Sequence, residues 1–170
     1  MLSTRMQEAL NAQINAELWS AYLYLSMSVN FATTGKPGFA NWMKIQFREE
    51  QDHAMKFLNY MISRGGTPVL KPIEEVKTSW ESPLQAFEDT LAHEQKVTHL
   101  IHELYSLATE EKDYATQSML KWFIDEQVEE EETAQGIIDA LRMIRDNGFG
   151  LYTLDKELSA RVYTAPAEAE

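Results

Sequence analysis

The sequence predicts an all-α fold: a four-helix bundle with one long crossover between the second and third helices, plus a short fifth helix near the C-terminus. Three observations carry this. Glycine and proline are scarce, at 7 and 5 of 170 residues, and they cluster at a few points. Between those points apolar residues recur at helical spacing, and no run alternates as a half-buried strand would. The uninterrupted runs are also long, on the order of 40 Å each at about 1.5 Å per residue.

The first helix runs from about Thr4 to Thr33, where Thr34-Gly35-Lys36-Pro37 breaks the pattern. The second opens at Pro37 and closes at Arg64-Gly65-Gly66. The third begins at Ser82-Pro83, a capping serine followed by a proline suited to the first helical position. It reaches about Glu111, where Lys112-Asp113 turns the chain into a fourth helix ending near Arg145. A short fifth helix is expected over about 152–162, with a frayed tail over 163–170, so that 1–170 reads as a single domain whose bundle spans about 4–145.

Each pair joined by a tight turn should be an antiparallel hairpin. Gly65 to Glu81 is different, because structureless loops longer than about 12–15 residues are uncommon in compact domains. Extended, it could travel the length of the bundle and leave the second and third helices parallel.

Composition narrows the function. Fifteen Lys and Arg against 27 Asp and Glu give a net charge of −12, which repels phosphate backbones and anionic lipid and suits cations. Neither nucleic acid nor membrane is an expected partner. The absence of cysteine excludes disulfides, thiol catalysis, iron–sulfur clusters and Cys-based zinc sites. The first residues carry no apolar leader segment, so the expected location is cytoplasmic.

Each helix carries an apolar stripe interrupted by acid near its midpoint. The stripes read Leu10, Ile14, Glu17, Ala21, Tyr24; Phe47, Glu50, Ala54, Phe57; Leu91, Glu94, Thr98, Ile101; and Phe123, Glu126, Glu130, Ala134. His53 lies one turn after Glu50, and Gln127 lies between the fourth-helix acids. An isolated buried carboxylate protonates or finds a cation. Antiparallel helices share a common level near their middles, and no Lys or Arg of these stripes stands there. A metal cluster is the most economical counter-charge. Oxygen ligands with one imidazole and no sulfur point to iron or manganese.

Glu17 and Glu94 as single acids, with Glu50-Gln51-Asp52-His53 as a Glu-x-x-His, are similar to the di-iron pattern of ferritin-like proteins. The fourth helix departs from the symmetric motif, since Gln127-Val128-Glu129-Glu130 puts Gln and Glu where Glu and His would stand. With Asn15-Ala16-Glu17-Leu18, Arg48-Glu49-Glu50, Glu126-Gln127 and Gly150-Leu151-Tyr152-Thr153-Leu154-Asp155-Lys156-Glu157-Leu158, that departure resembles bacterial non-haem ferritins over nearly the whole chain.

The resemblance implies an iron-storage protein with ferroxidase activity, using O2 or peroxide and no haem. Glu17, Glu50 and His53 would hold one iron, Glu50 would bridge, Glu94 with Glu130 would hold the second, and Gln127 would line that position. Glu49, Glu126 and Glu129 match a third, looser iron site. Tyr24 matches the tyrosine beside the iron pair and is a candidate electron donor, with Trp122 a weaker one. Gln127 and Glu130 in place of Glu and His imply a labile second position. A homo-oligomeric shell of 24 subunits follows from the resemblance alone, with the fifth helix at an inter-subunit contact.

Plainer readings compete. His53 alone would be a core histidine, and its place after a stripe glutamate reverses that. His99, His102, Glu131 and Glu132 read as solvated, and for Glu49 and Glu129 a solvated role and a third metal site weigh equally on spacing. The alternative function is a di-iron redox enzyme with a permanent metal pair and no mineral. A metal-free scaffold would gain stability on losing Glu17 or Glu94. A DNA-protecting miniferritin is disfavoured by the charge and by an intrachain ligand set.

Overall fold

A computed structural model describes residues 1–165. Its elements are α1 (Thr4–Thr33), α2 (Pro37–Ser63), α3 (Pro83–Glu110), α4 (Tyr114–Ile144) and α5 (Gly148–Leu158). No strand occurs among the described residues, and none of these helices is long and apolar enough to cross a membrane. The starts follow local chemistry. Ser3, Ser82 and Asp113 each accept a hydrogen bond from a backbone N–H in the first turn of the helix that follows.

Gly35 and Gly65, both at φ 75°, let α1 and α2 end in tight left-handed turns, and Lys112 adopts φ 56° in the turn after α3. These turns make antiparallel pairs of α1 with α2 and α3 with α4. The segment between α2 and α3 climbs alongside α1. Val69 N donates to Asn11 Oδ1 at 2.7 Å, and further on Ser26 Oγ donates to the Lys77 carbonyl at 2.8 Å. It delivers the chain back to the end where α2 starts: Trp42 and Phe87 meet there with ring centroids 4.9 Å apart. α3 therefore runs parallel to α2.

The fifth helix begins four residues before the expected Tyr152 and ends at Leu158 instead of 162. The reason is Asn147, whose side chain accepts from both Phe149 N and Gly150 N and so starts the helix inside the Gly-rich stretch that reads as a breaker. Of the expected tail, Tyr163 is tied down by a hydrogen bond to Asp52 and by the Arg48 guanidinium 4.6 Å from its ring centroid. The part beyond residue 165 lies outside the described residues.

The apolar core is divided. One cluster, around Phe31, Phe39, Trp42, Phe87 and Leu141, fills the end that α5 covers. The other, around Met6, Leu10, Phe57, Ile101 and Phe123, fills the opposite end, with Phe57 stacked on Phe123 at 4.0 Å. Between them, at mid-bundle, lies a buried layer of Gln13, Glu17, Gln46, Glu50, His53, Glu94, Gln127 and Glu130.

Candidate metal centre

The six residues expected at a metal pair are all buried, at 1% exposure for Glu17 and Glu94 and 7% for Glu130, the most open of them. Glu17, Glu50 and His53 converge most closely: one ligand atom from each lies within 4.8 Å of the other two. His53 Nδ1 is 3.6 Å from Glu50 Oε2 and 4.0 Å from Glu17 Oε2, too far to bond either. Those two oxygens have no hydrogen-bond partner although both are buried. Two orphaned carboxylate oxygens facing one imidazole nitrogen form a donor set that fits a hard or borderline divalent cation.

The second half of the layer is more fully bonded. Glu94 Oε2 accepts from Gln127 Nε2 at 3.1 Å, and Glu94 Oε1 accepts from the Tyr24 hydroxyl. Glu130 Oε2 accepts from Gln46 Nε2 at 2.8 Å. Glu94 and Glu130 are thus held in place by neutral side chains.

Electrostatics follow from burial. Desolvation pushes Glu17 well above the usual carboxylate range, and the charge of Glu50 adds to it against the opposing pull of His53. Glu50 is also raised well above that range, by burial first and then by Glu94 and Glu130. Glu130 is pushed up to about 8 by burial and by Glu94. Tyr24 is raised by burial and by Glu94, Glu50 and Glu130. Without a metal, protons supply the counter-charge that a cation would otherwise provide.

The fourth-helix stripe differs from its expected line. Its buried residues run through Leu120, Phe123, Gln127, Glu130 and Ala134, so Gln127 holds the interior register and Glu126 is turned to the edge, half-buried. The buried run steps by three, four, three and four residues, the alternation that keeps a single helical face inward, whereas the expected line steps by three, four and four.

The residues matched to a third site form their own pocket. Glu49, Glu126, Glu129, Glu130, Thr133 and Arg161 line a cavity of about 150 Å³. Burial raises Glu49 and Glu126, the former opposed by Arg161. Glu129 is exposed. Trp122 lies edge-on to His53 with ring centroids 5.4 Å apart. His99 and His102 are exposed, whereas Glu131 is half-buried and accepts from Thr98 Oγ1 at 2.6 Å, a bond the solvated reading omits.

Sequence reasoning missed three polar partners. Gln13 donates to Glu17 Oε1 at 2.7 Å, Gln46 donates to Glu130, and Arg161 Nη2 lies 2.7 Å from Glu49 Oε2. Gln13 precedes its partner Glu17 by four residues, a signal present in the sequence, whereas Gln46 reaches Glu130 across the bundle, 84 positions away. Arg161 left none, because its partner is 112 residues away.

A mid-bundle layer of carboxylates with one imidazole, on helices linked by a single long crossover, defines a ferritin-like protein. The family model described as a ferritin-like domain matches residues 7–144, and this chain belongs to the ferritin family. It is similar to a bacterial non-heme ferritin of Bacteroides fragilis (strain 638R), 46% identical over 161 residues, which cover 95% of this chain and all of that protein. The Staphylococcus aureus (strain USA300) bacterial non-heme ferritin is 40% identical over 163 residues, covering 96% of this chain and 98% of its own. An open pore ferritin from the hyperthermophilic archaeon Archaeoglobus fulgidus superposes with a TM-score of 0.95 at 50% identity, over 95% of this chain and 100% of that one. A closed form engineered from the Archaeoglobus fulgidus ferritin superposes equally well, with TM-score 0.95.

Proposed function

We propose that this protein stores iron and oxidises it on the way in. Glu17, Glu50 and His53 take one Fe(II), and Glu94 and Glu130 take a second, with Glu50 between the two positions and Gln127 beside the second. Each Fe(II) gives one electron to O2, which with two protons leaves as hydrogen peroxide, and two Fe(III) remain as product; peroxide in place of O2 serves the same two-electron exchange. The chain supplies fixed spacing, negative charge and exclusion of bulk water. Tyr24, hydrogen-bonded to Glu94, holds that ligand and stands ready as a one-electron donor.

The observation that carries this reading is the pair of orphaned oxygens, Glu17 Oε2 and Glu50 Oε2, turned toward His53 Nδ1 inside a layer of raised carboxyl groups. Substrate iron satisfies them and releases their protons. Glu130 and Gln127, in place of an imidazole and a carboxylate, hold the second position loosely, so product iron leaves for a mineral. Self-assembly into a cytoplasmic homo-oligomeric shell of 24 subunits, without haem, completes the proposal; the ferritin relatives and a shared bundle support it.

The test is to add excess Fe(II) in air to metal-stripped protein, separate by size and count iron per chain. Iron far beyond two per chain, co-eluting with a very large assembly, is the expected result. Two per chain and no more would overturn storage in favour of a di-iron redox enzyme.

A further inference from the structure

Arg161 lies just beyond α5, yet among the described residues it is the only cationic side chain lining the small pocket of Glu49, Glu126, Glu129 and Glu130. Its Nη2 is 2.7 Å from Glu49 Oε2. The guanidinium carbon is 4.6 Å from the Trp42 ring centroid, and Nη1 donates to the Trp42 carbonyl at 3.4 Å. The Arg161 carbonyl accepts from Asn41 Nδ2 at 3.0 Å, so the backbone is anchored and the side chain is aimed. Glu130 belongs to both this pocket and the mid-bundle layer, so the two share a carboxylate.

We propose that Arg161 is a tethered cation occupying the Glu49–Glu126–Glu129 pocket, and that a metal ion enters there only by displacing the guanidinium from Glu49. This rests on the iron reading above and deepens it. Glu49 cannot serve the guanidinium and a divalent ion at full strength together, and the two cations repel at this range. The side chain is 26% exposed, so it can swing into water when an ion arrives and return when the ion leaves. A pocket that refills itself with its own cation passes iron along and does not keep it.

A mere staple for the C-terminal segment would also use this ion pair, and metal counting separates the two roles. Equilibrium dialysis against Fe(II) under nitrogen is carried out on the wild type and on the Arg161→Gln, Arg161→Met and Arg161→Lys variants. Met keeps an apolar stem against Trp42, and circular dichroism checks that each variant is folded. The wild type is expected to bind two ions at the mid-bundle pair, the second more loosely than the first, and a third more weakly still. Gln and Met should tighten the third on the order of tenfold or more, with the first two unchanged, while Lys stays near the wild type. An unchanged third ion in both neutral variants, or equal tightening in Lys and Gln, overturns the proposal. Absence of the two mid-bundle ions in the wild type itself would overturn the metal-pair reading instead.

Discussion

At the scale of single residues, the mid-bundle carboxyl groups behave as a store of protons that metal must displace. Glu130, pushed up to about 8, holds its proton at neutral pH in the apo chain, and burial raises Glu17 and Glu50 in the same direction. Binding to carboxylate ligands requires those protons to leave, so apparent affinity rises with pH until the groups are already ionised. Anaerobic Fe(II) binding is therefore expected to release protons at pH 6–7, fewer as the pH approaches 8, and to strengthen over that interval. Titration of the released acid in unbuffered solution measures it, and binding with no proton release would count against these three carboxyls as ligands. Tyr24 and Gln46 act on ligands from outside, bonding one carboxylate oxygen of Glu94 and of Glu130 respectively. Removing the Gln46 amide by Gln46→Ala should weaken metal uptake by about 10–100-fold, the usual cost of losing a group that orients a ligand, with little change in fold.

At the scale of elements, α5 carries more than its length suggests. Lys36, which precedes α2, makes no side-chain cap, and Asp155 of α5 supplies one across space, accepting from Gly38 N at 2.8 Å and Phe39 N at 3.0 Å. A carboxylate at a helix N-terminus is favoured both by these bonds and by the helix dipole. Asp155→Ala should destabilise the protein by about 1–2 kcal/mol, read from denaturant unfolding. Gly38→Ala should cost at least as much, because an added Cβ would lie 1.6 Å from the Asp155 carbonyl oxygen and force α5 away. Much of this was readable beforehand: breakers marked the four long helices and the crossover, since Gly and Pro act locally. The docking of α5 was not, because the Asp155 bonds join residues 117 and 116 positions apart. The same limit applies at the site. Glu17, Glu50, Glu94 and Glu130 stand out as acids in apolar stripes, and His53 by its place one turn after Glu50, but the register of Gln127 over Glu126 and the Arg161–Glu49 pair depend on how helices pack.

At the scale of the whole molecule, the polar layer splits what would otherwise be one continuous core, and the fold tolerates it by keeping the layer protonated or metal-filled. In the apo chain, Glu17 has its pKa raised above its ordinary 4.5, so the native state binds more protons than the unfolded state. Its contribution to stability is then full below that value and is lost as the pH rises through the folded pKa. Glu17→Gln removes this dependence. The new amide still accepts from Gln13, and its NH2 faces the orphaned Glu50 Oε2, which gains a donor. The apo variant should melt a few degrees above the wild type at pH 8, for a gain of about 1–2 kcal/mol, with the difference shrinking toward pH 5. Saturating divalent metal should reverse the order, because a ligand that binds only the folded state stabilises it in proportion to the logarithm of its affinity, and the variant has lost a carboxylate ligand. Scanning calorimetry of both proteins, with and without metal, measures all four midpoints. A variant more stable in both states would mean that Glu17 costs the fold stability for no gain in metal binding; a variant less stable in both would mean that its carboxylate holds the two core clusters in register whether or not metal is present.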